Sequence, residues 1–244
     1  MVRVAAVLAL VTAIALWSQF APSLPAIESD WGNVAVLAFG VIPAMFALVW
    51  LCLPLRAALD LPRLALLAGT LVLLAVAFSA ADLEIAANLL KLAAATSVGW
   101  LALAFFEAPW WVALVALLIV PVDLFSVARG PTKEITENQP QVFDALSVFM
   151  IIPGRNSQGE AQAAHLGLPD VIFFGLFLGA CARFGLRVAP AWVLMVLSFG
   201  GTLVLAVFFD QAGVAALPLL SAGFVLANGD LLWRSIRGGP IRRS

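Results

Sequence analysis

The stretch Pro109-Trp110-Trp111-Val112-Ala113-Leu114-Val115-Ala116-Leu117-Leu118-Ile119-Val120-Pro121-Val122-Asp123-Leu124-Phe125-Ser126-Val127-Ala128-Arg129 is apolar almost throughout, with one carboxylate, Asp123, well inside it. About 20 apolar residues in a helix cross the hydrocarbon core of a bilayer, so this stretch reads as a membrane-spanning helix. The whole chain agrees. Of its 244 residues, 64% are hydrophobic and 11% are charged, and its mean hydropathy is +1.08; a soluble domain carries about a quarter charged residues. So few charges cannot cover a water-exposed surface, which excludes water-soluble enzymes and nucleic-acid binders. The net charge of −1 gives no basis for a polyanionic partner. The expected fold class is all-α, a polytopic bundle of transmembrane helices in a lipid bilayer.

Eight apolar segments are long enough to span, at residues 4–21, 33–54, 63–81, 86–106, 109–129, 167–186, 190–209 and 213–233. Turn signals separate them: Pro22 and Pro25, Pro54 and Pro62, Asp82 and Glu84, Glu107 with Pro109, Pro190, and Asp210 with Gly213. Trp17, Trp31, Trp50, Trp110, Trp111, Trp192 and Trp233 stand at segment ends, as interfacial anchors do. Arg3 precedes the first apolar run as in a signal peptide, but no small-x-small cleavage site follows near Trp17–Phe20, so the segment reads as a retained helix. Cys52 and Cys181 sit in apolar runs and read as buried structural thiols.

This organisation divides the chain into a four-span scaffold (1–108), a span carrying Asp123 (109–129), a polar loop (130–166), a second carboxylate-bearing span with the C-terminal spans (167–233), and a basic tail (234–244). The loop holds Lys133, Glu134, Glu137, Asn138, Gln139, Arg155, Asn156, Gln158 and Glu160, and loops this long tend to be functional or disordered. Within it Val142–Ile152 is apolar but too short to span. It reads as a short interfacial helix or strand, or as a lid over a site.

Asp170, in Leu166-Gly167-Leu168-Pro169-Asp170-Val171-Ile172, lies near the start of the sixth segment. A carboxylate at membrane depth costs several kcal/mol unless it is paired, protonated or facing water, so an ionisable residue there is a functional candidate. Asp123 is seven residues before Gly130, about 10 Å of helical rise, and Asp170 is five residues after His165. Successive spans run antiparallel, so the two ends of the loop bring both aspartates to a similar level. Two adjacent carboxylates cannot both ionise easily and share one proton. Such a dyad can hydrolyse an amide: the charged carboxylate deprotonates a water while the protonated one supports the oxyanion. The competing reading is structural, with an Asp capping a broken helix beside a proline.

These residues resemble the signature of the presenilin and signal peptide peptidase family of intramembrane aspartyl proteases, which has an aspartate in one span, a Gly-x-Gly-Asp in the next and a Pro-Ala-Leu-Pro opening the last. Here Val122-Asp123, Gly167-Leu168-Pro169-Asp170 and Ala215-Ala216-Leu217-Pro218 stand in those places, in order, within residues 109–233. The flanks Ser126-Val127-Ala128-Arg129-Gly130-Pro131 and Val171-Ile172-Phe173-Phe174 look more like presenilin. The resemblance implies a presenilin-like fold with one span fewer than the family's nine, and an aspartic endopeptidase with Asp123 and Asp170 catalytic. It implies Gly167, Leu168, Pro169, Ala216, Leu217 and Pro218 at the substrate, and no cofactor or metal. The partner it implies is the transmembrane helix of a single-pass protein, unwound locally, with the Val142–Ile152 region recruiting it by strand addition. Three departures stand out: Pro169 replaces the motif's second glycine, Val122 replaces its tyrosine, and Ala215 replaces its first proline.

Other constellations are weaker. His165 is the sole histidine, which excludes a His-Glu-x-x-His metalloprotease, and Ser157 is a poor partner for it as a nucleophile. Lys91 reads as snorkelling to an interface or pairing with Asp82 or Glu84; Glu107 and Asp210 read as solvated, and Asp230 as serving either packing or the site. A proton-coupled transporter would also place aspartates in its core but predicts repeat symmetry that is not evident here, and a prepilin-peptidase-like protease shares the Gly-x-Gly-Asp chemistry without the Ala-Leu-Pro element. Arg3, Arg56, Arg63, Arg183, Arg187, Arg234, Arg237, Arg242 and Arg243 fall on one side of an eight-span chain, against Arg129, Lys133 and Arg155 on the other. Both termini are therefore expected in the cytoplasm and the loop outside. The compact length and the absence of tyrosine suggest a prokaryotic plasma membrane.

Overall fold

A computed structural model describes residues 2–129, 140–156, 159–209 and 214–237. Gly130, Pro131, Lys133, Glu134, Glu137, Asn138, Gln139, Ser157, Gln158, Asp210, Gly213, Arg242 and Arg243, singled out above, lie outside the described residues, as does most of the tail.

The described chain is mostly helical. Its elements are α1 (Val2–Phe20), α2 (Asp30–Ala58), α3 (Leu61–Ala80), α4 (Glu84–Leu103), α5 (Pro109–Arg129), a short α6 (Pro140–Ala145), strands β1 (Ser147–Arg155) and β2 (Ala161–Gly167), then α7 (Leu168–Phe184), α8 (Val188–Phe208) and α9 (Leu217–Ile236). Six of these helices, α1 to α5 and α8, are long and apolar enough to cross a membrane. Every segment expected to span is helical, with boundaries shifted by a few residues. The second segment runs on to Ala58 rather than 54, and the last begins at Leu217 rather than 213 because Ala216 is its N-cap and Pro218 occupies its first turn.

Local chemistry explains these boundaries. Asp60 caps α3 by accepting from the backbone N–H of Arg63 at 3.1 Å, with Pro62 in the first turn. Gly185 ends α7 in the left-handed conformation at φ 70°, and the N–H of Leu186 returns to the Cys181 carbonyl. Helix α2 accommodates a π-turn at Leu37–Val41 and Pro54 near its end.

Helix α7 is the axis of the bundle. Val171, Phe174, Phe177, Leu178, Ala180 and Cys181 are fully buried, and α2, α4, α8 and α9 all pack on it. Phe174 meets Phe46 of α2 at 4.0 Å between ring centroids, Phe46 stacks on Phe199 of α8 at 4.8 Å, and Phe177 stacks on Phe224 of α9 at 4.7 Å. A helix apolar on every face is what a central position requires. Helices α4 and α7 approach closely at Gly99, where a Cβ would overlap the carbonyl oxygen of Ile172. Helix α5 is peripheral by contrast, with Leu117, Val122, Leu124 and Phe125 exposed.

The departure from helix lies in the loop. The apolar stretch Val142–Ile152 straddles the end of α6 and the first part of β1, which pairs antiparallel with β2 from Ser147 opposite Gly167 to Ile151 opposite Ala163. Val148 and Met150 face the core. Strand β2 runs directly into α7, so Gly167 ends the hairpin and the helix starts one residue later, at Leu168.

Candidate active site

Asp123 sits in the last third of α5, two residues after Pro121. Proline has no N–H, so the helix there lacks one backbone bond. The Asp123 carboxylate is partly buried, and its Oδ2 accepts from the backbone N–H of Leu217 at 3.1 Å. Asp170 is in the first turn of α7, where the positive end of the helix dipole favours an acidic side chain. The Gly167 amide hydrogen-bonds to the Asp170 carboxylate, which lies within electrostatic reach of Asp123.

The fold therefore brings together Asp123, Asp170, Gly167 and Leu217, which come from α5, the end of β2, the start of α7 and the mouth of α9. Gly167 has little room to be anything else, because a Cβ there would lie 3.2 Å from Oδ2 of Asp170. Ala216 is the buried N-cap of α9, and Pro218 is in its first turn. Leu168 is partly buried and spends its N–H on the Leu146 carbonyl at 2.9 Å, tying the start of α7 to α6. Pro169 is exposed in the first turn of α7, where a helix has no use for that residue's N–H. Val122 is 59% exposed on the outer face of α5 and does not cover the carboxylate.

The hairpin beside the dyad is anchored by residues that sequence patterns alone did not bring out. Buried Asn88 of α4 acts as a strand partner for Phe149: its Nδ2 donates to the Phe149 carbonyl and its Oδ1 accepts from the Phe149 N–H, both at 2.8 Å. Trp17 Nε1 donates to the Ile151 carbonyl at 2.9 Å. Lys91 makes its hydrogen bonds to backbone, its Nζ donating to the carbonyls of Asp144 at 2.7 Å and Ser147 at 3.4 Å, with the Glu84 carboxylate near enough to act on its charge. An asparagine inside an apolar helix was the signal available for this role, since such groups are buried only with partners.

These bonds fix which edge of the hairpin is free. Phe149 turns both backbone groups toward Asn88, so Phe149 and His165 form a non-hydrogen-bonded pair. By the same alternation, the backbone groups of Ala163, His165 and Gly167 point away from β1, along the outer edge of β2 that leads to Asp170.

His165 lies in β2, with Ser147 Oγ 3.1 Å and Asp144 Oδ1 3.6 Å from the same nitrogen, Nδ1. A nucleophilic triad needs serine on one ring nitrogen and the carboxylate on the other, and Ser147 is buried, so this cluster does not form one. Burial pushes the His165 imidazole below its usual range, offset in part by Asp144. Asp230 is accounted for by a two-pronged pairing with Arg187 at 2.6 and 2.9 Å. Cys52 and Cys181 are free thiols, Cys181 buried. Among the described residues no cluster of three His, Cys, Asp or Glu side chains could hold a metal ion.

No family model matches the chain, and no curated protein matches it.

Proposed function

We propose that the chain is an intramembrane aspartyl endopeptidase of presenilin-like fold, crossing the membrane eight times, that hydrolyses peptide bonds within the transmembrane helices of single-pass proteins. The observation that carries this reading is the meeting of two carboxylates at the loop end of α5 and α7, with a backbone donor from the Ala-Leu-Pro element on one of them. In the mechanism, the pair shares one proton. The ionised carboxylate takes a proton from a water held between the two, the resulting hydroxide attacks the peptide carbonyl, and the protonated partner hydrogen-bonds to the developing oxyanion; the carboxyl that took the proton then gives it to the amide nitrogen as the C–N bond breaks, which frees the amine and leaves the pair singly protonated. The Leu217 N–H holds Asp123 in place, and the Gly167 amide does the same for Asp170.

Two further spans join the six in this reading. Helix α7 has 17 residues, a rise of about 25 Å, which is short for a bilayer but adequate where a polar loop thins it. Helix α9 carries Ser221, Asn228 and Asp230 along an otherwise apolar length. The arginine distribution supports an orientation with both termini on the cytoplasmic side and the hairpin outside.

A substrate helix must unwind before a carboxylate can reach its backbone, and unwound backbone in lipid needs hydrogen-bond partners. The outer edge of β2 supplies them through Ala163 and His165, in a strand that ends at Gly167, three residues before Asp170. The test is cleavage of a panel of single-pass helices by the purified chain in liposomes, with Asp123→Asn, Asp170→Asn and an aspartyl-type transition-state analogue. Products formed by the wild type alone and suppressed by the analogue support the reading. Cleavage that survives either substitution removes the dyad, and an inactive wild type turns attention to proton-coupled flux.

A further inference from the structure

The end of the bundle away from the dyad collects arginines, and they are of two kinds. Arg63 lies 3.8 Å from Asp60, and Arg187 is held by Asp230. Arg56, near the end of α2, pairs with no carboxylate among the described residues, and its Nε is shut off from solvent without an acceptor. Arg183 of the adjacent α7 uses one nitrogen on the Leu103 carbonyl and lies over the Phe184 ring; it too pairs with no carboxylate among the described residues. Phe46 of α2 touches Phe174 of α7, and Arg56 and Arg183, ten and nine residues further along, lie in the last turns of the two helices at the same level, where the charge of Arg183 acts on Arg56. Like charges side by side, one with a buried nitrogen unsatisfied, are held at a cost that an anion between them would remove.

A second feature lies along the same end. A cavity of about 460 Å³ runs between α1, α2 and the start of α8, with Arg3 at its rim and Trp50, Leu51, Leu53, Pro54 and Val188 among its walls. Leu53 and Pro54 stand within a turn of Arg56. Planar guanidinium groups match phosphate oxygens in geometry as well as charge, and basic pockets between spans accept anionic headgroups. An apolar cleft next to such a pocket suits an acyl chain.

We propose that Arg56 and Arg183 clamp the phosphate of an anionic phospholipid, one of whose acyl chains lies in the cleft bounded by Arg3, Trp50 and Pro54. An anionic headgroup suits the site because Arg56 and Arg183 pair with no carboxylate among the described residues, whereas Arg63 and Arg187 face Asp60 and Asp230. The site is independent of the proteolytic reading.

The experiment uses the full chain in uncharged detergent, followed by native mass spectrometry and thermal unfolding with phosphatidylglycerol, phosphatidylcholine or sodium phosphate. Phosphatidylglycerol should stay bound and raise the unfolding temperature, while the other two should do neither. Arg56→Gln and Arg183→Gln should each weaken its retention by about tenfold or more, and Arg63→Gln should leave it unchanged. Without lipid, Arg56→Gln should be at least as stable as the wild type, because it removes a repulsion; if that variant does not fold, Arg56→Lys should bind the lipid more weakly with the same headgroup preference. Equal stabilisation by inorganic phosphate would make this a free-anion site and overturn the lipid assignment. Equal retention of phosphatidylcholine, or undiminished binding by both glutamine variants, would overturn it as well.

Discussion

The backbone N–H of Leu217 donates to the carboxylate of Asp123 across 3.1 Å, joining residues 94 positions apart. Helix α5 packs mainly on α9, so the mouth of α9 positions Asp123. Each residue of the Ala-Leu-Pro sequence contributes to this: Ala216 caps, Leu217 is buried and donates, and Pro218 starts the helix without needing an N–H.

A pair sharing one proton works only when singly protonated. Cleavage should therefore follow a bell-shaped pH profile in kcat/KM, falling on the acid side as both carboxyls become neutral and on the alkaline side as both ionise. The check is initial rate against pH in liposomes of fixed composition. A profile with a single limb would rule out the shared proton.

Gly167→Ala places a methyl group 3.2 Å from Oδ2 of Asp170. The carboxylate must shift by a few tenths of an ångström, and misplacement on the scale of 1 Å costs on the order of 100-fold in rate. We expect a fall of roughly ten- to 100-fold in kcat with little change in thermal stability. Parallel turnover and unfolding measurements on the variant distinguish this from a general loss of fold.

Gly99→Ala acts on packing instead. Its Cβ would meet the Ile172 carbonyl and the Leu176 nitrogen, which are backbone atoms and cannot rotate away. Forcing α4 from α7 should cost about 1–3 kcal/mol or more and displace Asp170, two residues before Ile172. Gly69→Ala, with nothing within 4 Å of the new methyl, should be neutral. Unfolding in graded denaturing detergent compares the two.

Asn88→Leu removes both bonds to Phe149 and leaves a partly buried N–H and C=O without partners. Each orphaned group costs about 1–3 kcal/mol. The hairpin should loosen, seen as faster hydrogen exchange over residues 147–155, and substrate cleavage should fall while the helices stay protected. Unchanged exchange at Phe149 would contradict the anchoring role.

Asp230→Asn should leave cleavage unaltered. Asp230 is paired with Arg187 and lies 13 residues beyond Leu217 on α9, about 20 Å from the dyad end of that helix. A loss of activity comparable to Asp170→Asn would bring Asp230 into the site.

Much of this was legible from residue order, and the reason is physical. In lipid each span must satisfy its own backbone, so helices follow from local composition, and the segments around Asp123 and Asp170 were placed to within a few residues. The level of the two aspartates followed from antiparallel connection alone. The hairpin was not legible in the same way: the backbone partners of Phe149 and Ile151 are Asn88 and Trp17, 61 and 134 residues away. Nor does local sequence state that α7 is central while the equally apolar α5 is peripheral, since lipid and protein neighbours are alike to a leucine. Sequence by itself determined the helices and the placing of two carboxylates in apolar segments; only the tertiary structure decided which helix surrounds which and which strand edge stays open. Those depend on contacts between distant segments, and the hydrophobic pattern of a span carries no record of them.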